Sequence, residues 1–412
     1  MTITRLLRRL LSGFAVFAVL VVLGGAALVA FASLERRTEI TLPTPTGPFA
    51  VGRAIQDWTD DTAVDALAPT PGTKRELLVW IWYPAAGRQS LVTDDYLPAR
   101  LRLKPKDAGG GNIWTLLTRD ASKIRGHSAA DPGVSPEERA YPVVIMRAGG
   151  SAGVLNYSTL AEDLASHGYV VVGFDVPYRT SLVVFPDGRV MRRTAQNNPE
   201  RCVVPDRAEM ERCVTPMIAA WTGDMAFVLE RLGRLNASDP SGRFTGRLDM
   251  ARVGVFGHSL GGAVAAQFCH EDSRCKAGIN IDGAPHGSVI QAGLSQPFMF
   301  LLSDHGYMTD PESQQIVTDI KSIYDRLPSD RRLYATIRGA FHFTFSDDGA
   351  LMKSSMVRGF LRLSGRLSID ARRQLAVTRY CVHSFFDAYL KGPGGARLSI
   401  SSPLYPEIKL FE

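Results

Sequence analysis

The stretch "VFGHSLGGAVAAQF", residues 255–268, joins an apolar strand-like run to a small-residue helical run at Gly257-His258-Ser259-Leu260-Gly261. A serine on a tight strand-to-helix turn sits at strained backbone angles and projects its hydroxyl from the top of a parallel sheet. Glycines two before and two after it remove side chains from a turn too crowded for them. The helix that follows points its N-terminus at the hydroxyl and favours negative charge there. The pentapeptide alone also fits an ordinary strand–helix turn. Here the apolar strand 252–256 precedes it and the small-residue helix 262–266 follows, which is the context a nucleophilic serine requires.

Working outward, continuous apolar runs at 142–146, 169–174, 252–256, 277–281, 297–302 and 333–337 predict strands. Helical patterns at 157–166, about 216–235, 260–270 and 311–326 fall between most of them. That alternation predicts a mostly parallel sheet covered by helices on both faces. An earlier strand is expected at 77–83, "LLVWIWY", stopped by Pro84. Residues 85–139 are polar and rich in Gly and Pro, with "DAGGGN" at their centre, and read as long surface loops. A last helix is expected at 369–390, with Ser368 as its N-cap. One insertion breaks the rhythm, a lid or cap around 176–215. It carries a hairpin, "SLVVFPDGRVMRR", turning at Pro186-Asp187-Gly188. Insertions above the carboxyl ends of strands shape binding clefts.

The chain has 412 residues, 45% hydrophobic and 21% charged, with a net charge of +6. This is globular composition. The basic residues are scattered rather than gathered with aromatics, which argues against nucleic-acid binding. Residues 1–9 form a basic N-terminus with Arg5, Arg8 and Arg9, and 10–34 carry no charge. A run of that length spans a bilayer as a helix and exceeds a signal-peptide core, so it reads as a transmembrane anchor. Ala30-Phe31-Ala32 supplies the alternative, a cleavage site and secretion. Either places the remainder outside the cytoplasm. Residues 35–70, with "TLPTPTGPFAVG", read as a linker, and 71–412 as the catalytic domain. Of five cysteines, Cys202 and Cys213 lie close together, and Cys269 and Cys275 flank "HEDSR". Both pairs are disulfide candidates in an exported chain. Cys381 reads as a buried free thiol. No metal-ligand spacing is present and no cofactor is implied.

A serine hydroxyl needs a base to take its proton and an acid to orient that base. There are eight histidines. His258 lies inside the turn and is expected to point away from the hydroxyl. His127, His167, His270 and His383 have no strand-end placement, and His286 and His305 are weaker candidates. His342 sits in "TIRGAFHFTFSD", past the last strand, late in the chain, where this architecture takes its base. Asp282 ends "AGINID" and Asp304 ends "FMFLLSD"; pattern leaves the two acids open. An oxyanion hole needs two backbone N–H groups. One is that of Leu260. The other is expected from Arg147-Ala148-Gly149-Gly150-Ser151-Ala152-Gly153, which lacks the endings of a phosphate-cradling loop.

With these residues in place, the chain resembles α/β-hydrolases of the platelet-activating-factor acetylhydrolase type, in their bacterial, anchored or secreted branch. The likeness runs from about Arg75 to Leu390. It is carried by "RELLVWIWYPA", "YPVVIMRAGGSAGVLNYSTLAEDLASHGYVVVGFDVPYR", "VGVFGHSLGGAVAAQF", "AGINIDG" and "TIRGAFHFTF". The resemblance implies the α/β-hydrolase fold, with the acid about two dozen residues after the nucleophile. Asp282, 23 residues after Ser259, fits that place. It implies His342 as base and Gly150 as the second oxyanion donor, although Ala148 stands where the family's loop usually carries histidine. The implied activity is hydrolysis of short or oxidised acyl esters of phospholipids. Acyl transfer, polyester or lipase-type hydrolysis, and non-catalytic lipid binding are the alternatives.

Overall fold

Six short runs, almost free of charge, form the parallel centre of one sheet. In the computed structural model, the structure describes residues 3–87, 91–104, 107, 120–304, 311–351, 359, 363–364, 368–392, 398 and 400–411. Along the chain, helix α1 (Ile3–Arg37) precedes strands β1 (Ile40–Thr41), β2 (Ala50–Val64), β3 (Lys74–Ala85), β4 (Thr93–Asp95), β5 (Ile124–Ala130) and β6 (Tyr141–Arg147). Helix α2 (Ser158–Ser166) and strand β7 (Val170–Asp175) follow, then a separate hairpin of β8 (Leu182–Val184) and β9 (Val190–Arg192). Helix α3 (Arg207–Ala237), β10 (Leu248–His258), α4 (Leu260–Glu271), β11 (Cys275–Ile281) and β12 (Phe298–Ser303) come next. The chain closes with α5 (Pro311–Arg326), β13 (Arg332–Ile337), α6 (Ala371–Phe386) and β14 (Ile408–Phe411).

The strand order is β1-β5-β2-β3-β7-β6-β10-β11-β12-β13-β14, with β4 paired to β5. From β7 to β13 all neighbours are parallel; β2–β3, β3–β7 and β13–β14 are antiparallel. After β6 the chain steps to β7 on one side and then to β10 on the other. That reversal leaves a crevice beyond the carboxyl ends of β6 and β10, where ligands bind in open parallel sheets.

Side chains alternate between two cores, as the period of two in a strand requires. Val143, Ile145, Val253 and Val255 face α3 and α4, while Val144, Met146 and Phe256 face α2 and α6. Both faces of the central strands are therefore buried, which is why they read as unbroken apolar runs.

Four expectations are corrected. The supposed linker 35–70 contains β1 and the fifteen-residue β2, hydrogen-bonded along β3. Some of its charged residues are tied inward: Arg53 is 3% exposed and donates to Asp94 Oδ2 at 2.8 Å, and buried Asp65 pairs with Arg179. The expected loops of 85–139 include β5, parallel to β1 and β2. The glycine-rich residues 108–112 lie outside the described residues, as does His305. Helix α3 starts at Arg207, capped by Asp206, whose carboxylate accepts from the Glu209 amide at 2.7 Å. Pro216 sits within the helix, and the insertion therefore ends near 206 rather than 215. Finally, α6 is capped by Asp370, not Ser368; its side chain accepts from the Arg372 and Arg373 amides.

Helix α1 includes an apolar segment, Gly13–Arg37, of mean hydropathy 2.7, long enough to cross a membrane. None of its most apolar stretch is buried against the rest of the chain.

Candidate active site

Strand β10 delivers Ser259 at φ 55° and ψ −130°, as the N-cap of α4. This is a conformation that L-residues rarely hold, at a cost of about 1–3 kcal/mol. The surroundings enforce it. The Ser259 amide donates to the Ile281 carbonyl at 2.8 Å, and the Ser259 carbonyl accepts from the amides of Gly262 and Ala263. A Cβ on Gly257 would collide with the Gly261 backbone, and one on Gly261 with the carbonyls of Arg147 and Ala148. The glycines that flank the serine are thus dictated by contacts within the elbow and against the loop after β6.

That loop packs on the serine from the other side. A Cβ on Gly149 would lie 2.8 Å from the His258 carbonyl and 3.0 Å from the Ser259 Cβ. The Gly149 amide donates to the Tyr157 hydroxyl at 3.2 Å. Gly150 follows at φ 47°, facing the cavity. The amides of Gly150 and Leu260 donate to no backbone carbonyl among the described residues.

Asp282 leaves the end of β11 at φ 53° and is 3% exposed. Its Oδ1 accepts from the Ser303 amide at 2.8 Å and hydroxyl at 3.0 Å, and its Oδ2 lies 2.7 Å from His342 Nδ1. Burial pushes this carboxyl up, but the His342 hydrogen bond and charge, with the Ser303 amide, outweigh it. The net position is below the usual carboxylate range. His342 stands in a turn after β13 and, with Ser259, lines a cavity of about 590 Å³. Asp304 goes elsewhere: it is exposed, and its Oδ2 accepts from the Gly339 amide at 2.8 Å. Of the two acids left open by pattern, Asp282 is the one beside His342.

His258, beside the serine, packs against the base candidate. Its ring centroid lies 4.6 Å from that of His342, and its Nδ1 lies 2.8 Å from the Tyr157 hydroxyl. Burial, with the nearby His342 charge, pushes it down to about 3, so it is neutral at ordinary pH. A neutral ring buttresses His342 without competing for its proton. Nothing in the sequence marks this role, because the position before the serine is unconstrained in the motif.

The insertion walls the cavity. The Ser181 amide donates to the Ser151 carbonyl at 2.8 Å, tying it to the loop after β6. Cys202 lines the cavity and is bonded to Cys213 at the start of α3, with Cα atoms 5.4 Å apart. Cys269 and Cys275 are bonded at a Cα separation of 5.1 Å, and Cys381 is free and buried. His286 pairs instead with Glu211 at 3.2 Å, on the cavity wall. His127 contacts the Leu42 carbonyl and His270 the Gly293 carbonyl.

His167 at the end of α2, His383 of α6 and Asp163 of α2 cluster, but Asp163 is already taken by the amide and hydroxyl of Thr46, by Arg379 and by His383. This is an arrangement for holding the N-terminal segment rather than a cation.

Comparison with known proteins gives a consistent neighbourhood. Residues 232–391 match the family described as platelet-activating factor acetylhydrolase, isoform II. A probable 1-alkyl-2-acetylglycerophosphocholine esterase of Arthroderma benhamiae is 27% identical over 90% of this chain and 94% of its own length. A platelet-activating factor acetylhydrolase of Cavia porcellus is 23% identical over 57% of this chain and 55% of its own. Among solved structures, a ferulic acid esterase from Streptomyces cinnamoneus superposes with a TM-score of 0.71 at 26% identity, over 91% of this chain and all of that one.

Proposed function

We propose, from the premise that this chain is an ester hydrolase of the platelet-activating-factor acetylhydrolase type with the α/β-hydrolase fold, that Ser259, His342 and Asp282 carry its chemistry. Ser259 attacks the ester carbonyl while His342 Nε2 takes its proton. His342 then returns that proton to the leaving alcohol, and repeats both steps with water to release the acid. Asp282 fixes the tautomer with the proton on Nδ1 and stabilises the imidazolium. The amides of Leu260 and Gly150 hold the oxyanion. The observation that carries this reading is the 2.7 Å contact between Asp282 Oδ2 and His342 Nδ1, on a cavity shared with a serine at φ 55°. A fluorophosphonate probe should label this serine alone, and label neither S259A nor protein with His342 replaced. Labelling that survives S259A sinks the assignment.

The substrate we propose is a phospholipid ester with a short or oxidised acyl chain, in keeping with the names of the relatives. A cavity of about 590 Å³ lies within the usual range for small ligands. The ferulic acid esterase neighbour supports a second class, esters of aromatic acids. Hydrolysis rates on acetyl, oxidised-acyl and feruloyl esters would rank the two.

We read α1 as an uncleaved anchor, with the catalytic domain, from about Ile40, outside the cytoplasm. Full-length protein is expected to pellet with membranes and resist high salt. A form beginning at Glu35 is expected to be soluble and to hydrolyse small esters equally well. Mature protein starting at Ser33 in the medium would replace the anchor with a signal peptide.

Export also supports both disulfides in the oxidised state. The Cys202–Cys213 bond closes a short loop on the cavity wall, and such a bond contributes about 2–4 kcal/mol. The variant with both replaced by serine is expected to melt lower and to show a raised KM. Peptide mapping that finds these thiols free in envelope-isolated protein rejects the bond.

A further inference from the structure

Among the described residues, the cavity is lined by one guanidinium that the proposed reaction does not use. Arg193 comes from the insertion, just after the β8–β9 hairpin, and lines the cavity with Ser259 and His342. Its Nη1 donates to Ser151 Oγ at 2.6 Å and Asn198 Oδ1 at 2.9 Å, both uncharged. It pairs with no carboxylate among the described residues, and its Nε and Nη2 make no hydrogen bond there. Ser151 directly follows Gly150, so the charge sits one residue from the proposed oxyanion donor.

The acids on the same wall are otherwise engaged. Glu200 accepts from Asn198 Nδ2, and Glu211 faces His286 and Arg207. Asp348 accepts from Asn156, and burial pushes its carboxyl up, disfavouring its charge. A guanidinium oriented by two neutral acceptors has given up its conformational freedom already, and it keeps donors free in a fork that suits an oxyanion group.

We infer that Arg193 is a specificity-determining residue that binds an anionic group, carboxylate or phosphate, on the ester substrate within a few bonds of the scissile carbonyl. The inference rests on the proposed nucleophilic role of Ser259. The anion has two possible sources: an acyl chain ending in carboxylate, or the phosphodiester of the leaving alcohol. Each places an oxyanion near the ester, on opposite sides of it.

The test compares charged and neutral partners in wild type and R193Q. On the acyl side these are p-nitrophenyl hemiglutarate and p-nitrophenyl valerate. On the alcohol side they are an acetyl ester of glycerophosphocholine and monoacetylglycerol. Loss of a charge-assisted hydrogen bond should lower kcat/KM for at least one charged substrate about ten- to hundredfold, leaving its neutral partner within about threefold. The arm that falls identifies the side. Lysine keeps the charge without the fork, so R193K should retain part of the preference.

If Arg193 serves only to hold Ser151, charged and neutral rates fall together, and that outcome overturns the proposal, as does no change in either. Should R193Q fail to fold, salt decides the matter in wild type. Raising ionic strength should slow the charged substrate and spare the neutral one, and equal responses reject the subsite. Valerate hydrolysis that persists in S259A would instead strike the reading beneath it.

Discussion

Replacing Ser259 with alanine is expected to lower kcat for a short p-nitrophenyl ester by about 10⁵–10⁶-fold, the scale seen when a triad nucleophile is removed. The cavity walls and the two oxyanion amides remain, so KM should change little and a residue of rate above water should persist. The backbone makes a second part of this prediction. Ser259 is held at φ 55°, and alanine inherits that strain whereas glycine does not. S259G should therefore be as inactive as S259A and melt higher. Steady-state kinetics with active-site titration, and thermal unfolding of the three proteins, check both parts. Activity in S259A above about a thousandth of wild type points to another nucleophile.

The elbow and the central strands were legible because a buried parallel sheet leaves a plain mark. Strands β6, β7 and β10 to β13 are covered on both faces, so their residues are apolar without alternation. The edge was not legible. Strand β2 carries Arg53, Asp57, Asp60 and Asp61, and reads as polar chain. Its buried arginine is satisfied by partners distant in sequence, Asp94 and the carbonyls of Asp95 and Tyr96. Hydrophobic patterning cannot register a buried arginine whose partners lie some forty residues on. The start of α3 was displaced for a related reason: its polar first turns obscure the helical pattern, while the capping residue Asp206, ten positions before Pro216, marks the boundary.

The site divides along the same line. The serine and its glycines are recorded by the five-residue motif, although the contacts that require them come both from within the elbow and from the loop after β6. His258 takes its position from Tyr157 and His342, and Arg193 from Ser151, across long separations that no local motif records. The two acids looked alike because each ends a strand. What separates them is the turn that follows: Asp282 enters the left-handed region and swings its carboxylate to His342, while Asp304 secures the Gly339 turn.

Changing Asp282 to asparagine is expected to lower kcat by about 10⁴-fold with little effect on KM. The asparagine carbonyl oxygen can keep both bonds from Ser303, and its NH₂ then faces His342 Nδ1. Nδ1 must become an acceptor, which moves the ring proton to Nε2, and a protonated Nε2 cannot take the proton of Ser259. Alanine at the same position should be as slow and less stable, because the buried Ser303 amide and hydroxyl lose their acceptor. Stability against pH separates Asp282 from a group with no role in the fold. Its carboxyl lies below the usual range in the folded protein, so the stability it contributes is present above the unfolded carboxylate pKa near 4 and lost as pH falls through the lower folded value. D282N removes that group, and its urea midpoint should fall less steeply with acid than that of wild type. Asp304→Asn is the control: an exposed acid bonded to one amide should cost less than about threefold in kcat, in keeping with a surface substitution. Near-normal turnover in D282N, with collapse in the Asp304 variant, would reverse the assignment of the acid.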